Sequence, residues 1–574
     1  MKPYFLAVGG LWLAANAGAM AAESVPAAAP ALQARGLLVI DWVIIGLYAA
    51  TTLGMGWWYG RTQTSIKEYF TGSGRMNPLL IGVSLFASLL STITYLSIPG
   101  ETMGKGPVFL TNYLAYPLVF IIVGYFMLPI YMKLRVTSAY ELLEERLGLS
   151  VRLLGASLFL ILRLVWMTLL ISLTARAVVT MIVPSDVLSR DLWIDERLPW
   201  FVAGIGLISV TYAAMGGMRA VVVTDLMQSI LLYGGAVLVI ATISVRMGGV
   251  HWFPTEWVST WDTQPFFSTD PGTRVTVVGS VLTVLIWMVA TSGGDQVSVQ
   301  RFMSTTDAAA ARRAMGTQLA ISALVGITLG LAGFAMLGYF QAHPELLPPD
   351  LSGKAHADKI FPHFIAFHLP PVVSGLVVSG LFAAAMSSID SGVNSITAVI
   401  SRDFIDRFRR QPITERQHVW VARTIAASIG VIVVLGSAYV DRVPGNITEV
   451  TTKTVNLLTV PIFCLFFFAL FVKRAHPVAV WVATIVGTLA TAAVAFSGPL
   501  VLWLHDAHGV DPAVFGTELV TSTDPRTGQA TRSVPDPISF QWIQLTALVV
   551  TISLGWILCQ VLPRRQNPST VPPP

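Results

Sequence analysis

A run of small polar residues inside an apolar segment, from Phe382 to Ser395, is the strongest chemical signal in this chain. Its hydroxyl and amide side chains recur at spacings that place them largely on one face of a helix, and Asp390 adds a carboxylate. A charged residue at the centre of a bilayer costs about 3 kcal/mol, so Asp390 needs a compensating partner there. Oxygen ligands of this kind suit a hard cation such as Na⁺, whereas small residues alone would also suit a helix-packing seam. We favour the cation site because of Asp390, and the other polar members are Ser387, Ser388, Ser391, Asn394 and Ser395.

The stretch from Pro78 to Gly100 predicts a second oxygen-rich segment. Pro78 suits the first position of a helix, where its missing N–H costs nothing. The many hydroxyls that follow, and the ending in Pro99-Gly100, favour a helix that is interrupted at mid-depth. Unwound backbone is tolerated in a membrane where it lines a wet site, and its carbonyl groups can then coordinate a cation. The alternative is a continuous helix whose hydroxyls bond back to its own carbonyls.

Asp225 is another charged residue within an apolar segment, and a short basic hairpin separates it from the preceding pair Gly216-Gly217. It is either a boundary residue paired with Arg219 or a cation ligand and way-station for ion release. Its position alone leaves both interpretations open.

Three cations also fall within predicted membrane helices: Arg163, Arg176 and Lys453. The last two can reach an interface and keep their charged ends in water. Arg163 lies about halfway along a long helix. It either pairs structurally with a buried carboxylate or backbone carbonyls, or fixes an anionic solute through a bidentate contact.

The elements that must position these residues are membrane helices. Of the 574 residues, 54% are hydrophobic and only 12% are charged, whereas soluble domains carry about 25% charged residues. This composition excludes a soluble enzyme, a disordered chain and a disulfide scaffold, and it indicates a polytopic membrane protein. Cys464 and Cys559 lie in apolar runs, so neither a disulfide framework nor a metal cluster is implied. The net charge of +5 comes from basic residues in scattered short loops, where it is a topology signal and not a nucleic-acid surface.

Thirteen helices are predicted from the criterion of about 20 apolar residues per span. Residues 1–22 are typical of a secretory signal peptide, with an extra helix as the alternative. The loops rich in Arg and Lys would all lie on one side, which places the tail at 563–574 in the cytoplasm and the N-terminus of the first span outside. The expected location is the plasma membrane, as a multi-pass protein of a bacterial inner membrane. The predicted helices cover 37–59, 78–99, 113–134, 152–183, 199–215, 219–245, 275–293, 315–340, 371–400, 418–440, 447–472, 476–498 and 541–562.

At these residues the sequence resembles the solute:sodium symporter family, which includes the sodium/glucose cotransporters and their bacterial relatives. The resemblance extends from about Ile40 to Gly487, and some of its features are those of the iodide, monocarboxylate and vitamin branch. Each motif is weak alone, but their joint order and spacing are specific. The motifs are Asp41-Trp42 and residues 67–75, 84–88, 136–148, 216–228, 295–301 and 386–395.

The resemblance implies an all-α polytopic membrane protein of the LeuT type, which is an inverted five-plus-five helix repeat with flanking helices. A leading helix at 37–59 would precede a ten-helix transport core at 78–472, and two trailing helices would follow within 476–562. Carried over by position, the family's shared sodium site uses the carbonyls of Ala87, Leu90 and Ala384 and the hydroxyls of Ser387 and Ser388. A second cation site of some members corresponds to Asp225, Ser387, Asp390 and Ser391, where Asp390 stands in place of a serine. The site would then either hold a cation more strongly or let a proton titrate Asp390.

The solute is less well indicated by the resemblance. The positions that contact sugar in glucose transporters carry other residues here, so a hexose site of that kind is not expected. Arg163 and Lys453 favour a small anion, such as a carboxylate or an acidic sugar. The expected solute-contacting residues are Ser91, Thr94, Ser97, Tyr113, Arg163, Thr291, Thr452 and Lys453.

The sequence therefore predicts a sodium-coupled secondary active symporter that works as a monomer and imports a small organic solute by alternating access. One alternative is a sodium-coupled symporter of neutral sugars, and alternatives of another class are a transporter-like receptor and a passive channel. The short tail argues against a receptor, and clustered ion ligands beside a broken helix argue for occlusion and against a channel. An enzyme is not expected, because no nucleophile–base pair or metal-ligand set is visible.

Overall fold

The computed structural model describes residues 36–61, 65–134, 137–182, 190–263, 265–348, 357–411, 414–438, 440, 447–523 and 530–563. The predicted signal peptide at 1–22 lies outside these residues, as does the predicted tail beyond Pro563.

Helices make up nearly all of the described regular structure, as the composition predicts. A small antiparallel hairpin is the exception, in which Val520–Thr523 pairs with Ala530–Ser533 and Val520 lies opposite Ser533. The α-helices are Val39–Gly60, Ile66–Thr71, Pro78–Leu89, Thr92–Lys105, Tyr116–Ile121, Leu128–Leu134, Glu141–Leu147, Leu149–Ile182, Arg190–Arg246, Val277–Gly294, Gln296–Met303, Ala308–Ala342, Ala357–Phe367, Val373–Val399, Asp406–Phe408, Glu415–Ser437, Ile447–Phe471, Pro477–Ala495, Ser497–His508 and Ile543–Val561.

The number of membrane spans agrees with the sequence. Ten helices of the described residues are long and apolar enough to cross a bilayer, and one bent pair makes up to eleven. One of the ten, Glu196–Arg246, has non-helical backbone at Gly217 and is therefore two helices in succession. Ile447–Phe471 is a further apolar helix. The described residues thus accommodate all the predicted helices.

The bent pair, here called the broken helix, consists of Pro78–Leu89 and Thr92–Lys105, which meet at an angle of 70°. The Asn77 side chain accepts the N–H of Leu79 and caps the first half, with Pro78 in the first helical position. The predicted break is present, but the predicted end at Pro99-Gly100 is wrong. Ser91 caps the start of the second half, which continues through Pro99 to Lys105. It ends at Gly106, where φ is 96°.

Two other helices extend seven and eight residues beyond their predicted ends. The helix predicted at 315–340 begins at Ala308, because the Asp307 carboxylate accepts the N–H of Ala310 at 2.8 Å and caps it. That hydrogen bond also holds the pKa of Asp307 below its usual range. The helix predicted at 371–400 continues to Phe408 through a π-helical turn at Ile400–Ile405.

The core of the molecule surrounds Val373–Val399, here called the serine-rich helix, of which nearly every residue is buried. Small residues let its neighbours approach closely. A side chain added at Gly380 would meet the backbone of a neighbouring helix, and one added at Gly392 would meet Met167. The serine-rich helix packs most extensively against Arg190–Arg246, and also against Leu149–Ile182 and Val39–Gly60.

The leading helix, Val39–Gly60, fixes the start of the serine-rich helix through one buried carboxylate. Asp41 Oδ1 accepts the N–H groups of Val372 and Gly375, each at 2.9 Å, and Asp41 Oδ2 accepts the N–H of Leu38. Val372 has a φ of 74°, a strained value for a β-branched residue. The negative charge at a helix N-terminus also complements the helix dipole. Asp41 of the motif Asp41-Trp42 thus has a structural role at the start of the serine-rich helix.

Candidate functional site

The break in the broken helix frees backbone carbonyls at the centre of the molecule. The last N–H of the first half is that of Leu90, which donates to the Phe86 carbonyl at 2.9 Å. The second half restarts when the N–H of Tyr95 donates to the Ser91 carbonyl. The carbonyls from Ala87 to Leu90 therefore follow the end of the helical ladder, and such carbonyls need other partners.

Three of the five predicted sodium ligands are in contact here, namely Ala87, Ala384 and Ser387. The Ser387 hydroxyl lies 2.8 Å from the carbonyl oxygen of Ala87 and 3.1 Å from that of Ala384. The Ser388 hydroxyl lies 3.2 Å from the carbonyl of Ser88, one residue further along the broken helix. Leu90 is the extended residue at the break itself. These oxygens are uncharged and come from two helices, which suits a monovalent hard cation.

A second polar cluster, around Asp225, lies one turn further along the serine-rich helix, where the Ser391 hydroxyl is 2.8 Å from the Ser88 hydroxyl of the broken helix. Its Oδ2 accepts the hydroxyl of Ser84 at 2.5 Å and lies 3.5 Å from the guanidinium of Arg301. Arg301 Nε donates to Ser84 at 2.8 Å, and its Nη2 donates to Ser391. The carboxylate and the guanidinium are almost fully buried, with 0% and 1% of the side chain exposed.

Asp390 extends this cluster and adds a second buried carboxylate. Its Oδ2 accepts the hydroxyl of Tyr212, and its Oδ1 accepts the hydroxyl of Ser391 at 3.1 Å. Gln228 Nε2 donates to Tyr212, while Gln228 Oε1 and Asp225 Oδ1 have no hydrogen-bond partner among the described residues. The cluster thus holds two carboxylates, one guanidinium and unfilled oxygen acceptors, and a buried acceptor without a partner is costly.

Two sequence interpretations need correction here. Arg219 does not pair with Asp225 but with Glu68, at 2.9 Å. Arg301 follows the helix predicted at 275–293, where a basic residue is typical of a loop, but it belongs to the buried cluster because the short helix Gln296–Met303 carries it inward. The motif at 295–301 was the available signal for it, although it assigned no role to the arginine.

A cavity of about 250 Å³ lies beside the break and is the candidate solute site. Hydroxyl, amide and charged side chains share its wall with aromatic rings, a mixture typical of sites for small polar molecules. Its lining residues are Ser88, Leu89, Ser91, Thr94, Phe109, Leu162, Arg163, Trp166, Thr283, Val284, Trp287, Thr291, Asp295, Val455, Asn456, Thr459, Phe540 and Gln544.

The expected solute-contacting residues divide into three groups. Ser91, Thr94, Arg163 and Thr291 line the cavity. Ser97 and Tyr113 are not among its lining residues, and Tyr113 packs instead against Gly326. The side chain of Thr452 lies outside the described residues.

The expected role of Lys453 is not supported by its position. Its ammonium group pairs with Asp536, which also accepts the N–H of Gly498 at 2.7 Å. Lys453 is not among the residues that line the cavity. Asp536 is 83 residues away in the sequence, so no local pattern indicates its pairing with Lys453.

Arg163 does lie midway along Leu149–Ile182, as predicted, and its guanidinium faces the cavity. Arg163 Nη2 donates to Asp295 Oδ2, and Arg163 Nε has no partner among the described residues. The second half of the broken helix begins at Thr92, and Ser91 and Thr94 at its start line the cavity, so the positive end of that helix is also at the cavity. Asn456 and Gln544 are cavity residues that the sequence did not single out, and Asp295 was indicated only as the first residue of the motif at 295–301.

Comparisons with known proteins identify the family of this chain. A model of the sodium:solute symporter family matches residues 69–487. The sodium/sialic acid symporter SiaT of Proteus mirabilis is 29% identical over 496 residues, covering 83% of this chain and 94% of that protein. The human sodium-coupled monocarboxylate transporter 1 is 25% identical, covering 85% of this chain and 78% of that protein.

Solved structures share the architecture. A Na⁺-coupled sialic acid symporter, solved in a substrate-bound outward-open state, superposes with a TM-score of 0.72 at 24% identity, covering 92% of this chain and 99% of that one. The predicted fold class, an all-α membrane protein of the LeuT type, is confirmed. With the family model matching most of its length, this chain belongs to the sodium:solute symporter family.

Proposed function

We propose that the protein imports a small organic acid, in the range from monocarboxylates to acidic sugars, together with sodium. The observation that carries this proposal is the guanidinium of Arg163 in the wall of the central cavity. A planar guanidinium recognises a carboxylate through two parallel hydrogen bonds. The positive end of the second half of the broken helix adds to the preference for an anion. Relatives named for sialic acid and monocarboxylate transport point in the same direction.

The rest of the cavity supports a solute with hydroxyl groups as well as a carboxylate. Asn456 and Gln544 line it and are hydrogen-bonded to each other, and Ser91, Thr94 and Thr291 add hydroxyls. Trp166 and Trp287 supply apolar faces. This mixture is the reason to keep a neutral sugar as the second candidate, for which Arg163 would have only a structural role.

Sodium is the proposed driving ion, bound by the carbonyls of Ala87, Leu90 and Ala384 and the hydroxyls of Ser387 and Ser388. The support is the contact of Ser387 with carbonyls of both the broken helix and the serine-rich helix. A cation at this point ties the two helices together beside Ser91 and Thr94, which line the solute cavity. Sodium and solute then need only bind better in each other's presence for transport to be coupled.

A second cation is proposed for the cluster of Asp225, Asp390 and Ser391. Two buried carboxylates face a single guanidinium there, so one further positive charge would neutralise the cluster. Asp225 Oδ1, which has no partner among the described residues, is available as a ligand. Ser387 belongs to the expected set but faces Ala87 and Ala384, so we assign it to the first site.

The protein is proposed to act as a monomer in a bacterial inner membrane, with the N-terminus of the leading helix outside and the C-terminus in the cytoplasm. Outside sodium would bind first and favour an outward-open state, and closure would then occlude both ligands before they reach the cytoplasm. No enzymatic step is needed in this cycle. The same cycle distinguishes the protein from a receptor or a channel.

The test is uptake into proteoliposomes under an imposed sodium gradient. Labelled sialic acid, a monocarboxylate and glucose are compared, each with sodium and with potassium outside. We expect sodium-dependent accumulation of at least one acid above its outside concentration and none of glucose. Uphill uptake of glucose alone would instead establish the neutral-sugar alternative, and purely downhill flux would establish a channel.

A further inference from the structure

Asp295 lies in the wall of the solute cavity, where it pairs with Arg163. Among the described residues that line the cavity, Arg163 is the only arginine. Asp295 Oδ2 accepts from Arg163 Nη2, and the two side chains are 6% and 10% exposed. Both residues line the same cavity as Ser91 and Thr94. A carboxylate is therefore already present at the group that we propose to bind the carboxylate of the solute.

The position of Asp295 is fixed by the short buried helix Gln296–Met303, here called the bridging helix. Asp295 Oδ1 accepts the N–H of Val297 at 2.8 Å and caps this helix. Gln296 anchors it further, since its Oε1 accepts the N–H of Ala139 at 2.7 Å. The bond from Val297 to Oδ1 would therefore still hold the Asp295 carboxylate in place when Oδ2 no longer bonds to Arg163.

The guanidinium is only partly satisfied by this pair. It has five N–H donors in a rigid fork, but Arg163 Nε has no partner among the described residues. A solute carboxylate that approached Arg163 in the bidentate geometry would also approach Asp295. Two carboxylates around one guanidinium repel each other, so solute and Asp295 oppose one another at this group.

We propose that Asp295 is an internal competitor of the solute: it neutralises Arg163 in the empty cavity and yields it when the solute carboxylate binds. This inference rests on the proposed transport of an acid. It makes Asp295 a residue that sets affinity, since each binding event must replace an existing charge-assisted hydrogen bond. A purely structural role, in which Asp295 only holds Arg163 in place, predicts the opposite effect of its removal.

The experiment compares acid binding by the wild type and Asp295→Asn, measured by calorimetry at saturating sodium on the purified full chain. Asparagine keeps an oxygen that can cap the bridging helix, so the change removes the charge and spares the cap. We expect the acid to bind on the order of tenfold more tightly, because binding no longer displaces a charged partner. The amide of the same acid should show no gain. Asp295→Ser, which also caps, is the second variant if the first does not fold.

The matched control is Asp403→Asn. Asp403 pairs with Arg152 at 2.7 Å and is fully buried, but neither residue lines the cavity. It should lower thermal stability without tightening acid binding. Equal or weaker binding by Asp295→Asn, with the wild type binding an acid, overturns the inference alone. A wild type that binds no acid in the panel overturns the proposed function, and the inference with it.

Discussion

Ser387 is the side chain that joins the two halves of the proposed sodium site, since its hydroxyl reaches carbonyls on both helices. Ser387→Ala should raise the sodium concentration for half-maximal uptake on the order of tenfold, because one ligand of five is lost while the carbonyls remain. The measurement is the sodium dependence of uptake at fixed solute.

The control for Ser387→Ala is Ser379→Ala, two turns earlier on the same helix. The Ser379 hydroxyl bonds only to the Gly375 carbonyl of its own helix, at 2.8 Å. Its removal should leave the sodium dependence unchanged. An unaltered response in both variants would remove Ser387 from the sodium site.

Arg163 has the complementary role at the solute. Arg163→Gln should abolish uptake of the acid while stabilisation of the protein by sodium in a thermal-shift assay persists. Arg163→Lys should retain weak uptake, because lysine keeps the charge but loses the planar fork. Arg176→Gln, on the same helix but not lining the cavity, is the control and should transport normally. Full uptake by Arg163→Gln would leave the neutral-sugar candidate as the better one.

The sequence identified some of these residues and missed others, for physical reasons. Asp390 and Arg163 were identifiable because a charge far from a membrane boundary is expensive and so needs a function or a partner. Arg301 was not, because it is only two residues from the end of a short helix and its sequence position matches a loop. Asp295 was likewise hidden, since its role depends on Arg163, which is 132 residues away.

At the scale of elements, the pattern of apolar runs predicted the existence and order of the helices but not their ends. Caps decide the ends, as Asp307 does for the helix at Ala308–Ala342. Pro99 illustrates the limit, because a proline within a helix is tolerated where packing holds the flanking turns, and both Ile98 and Gly100 are buried. Buried contacts of that kind cannot be read from a local pattern.

Asp41 joins two elements, since its carboxylate connects the leading helix to the start of the serine-rich helix. Asp41→Asn should lower the free energy of unfolding by about 1–2 kcal/mol, because the charge at a helix N-terminus is lost and the amide nitrogen that replaces Oδ2 cannot accept the N–H of Leu38. Thermal unfolding in detergent measures it, and the sodium dependence of uptake should not change. If Asp41→Asn unfolds at the same temperature as the wild type, the charge of Asp41 does not stabilise the strained turn at Val372.

The bridging helix connects the solute cavity with the buried cluster around Asp225. Asp295 at its start faces the solute cavity, and Arg301 near its end contacts Asp225, Ser84 and Ser391. A change at either end is therefore transmitted through eight buried residues. This arrangement gives a physical route for the mutual dependence of solute and cation, which linkage requires to be reciprocal.

At the scale of the whole molecule, the charge carried in each cycle follows from the contents of the buried cluster. With two cations and one carboxylate, import would move one net positive charge inward. A potential of 100 mV then contributes about 2.3 kcal/mol, which is a factor of roughly fifty in solute accumulation. Uptake into proteoliposomes with a potassium-diffusion potential, negative inside, should rise accordingly in the wild type.

Asp390→Asn tests whether the Asp390 carboxylate is the group that requires a second cation, and with it the net charge moved in each cycle. Removing this carboxylate leaves Asp225 and Arg301 as a neutral pair, so the second cation is no longer needed and uptake of the acid should become independent of voltage. Asp403→Asn, which removes a buried carboxylate outside the cluster, should keep the voltage dependence of the wild type. If uptake of an acid by the wild type is itself unaffected by voltage, Arg301 is the only cation of the cluster, and a single sodium ion drives the solute.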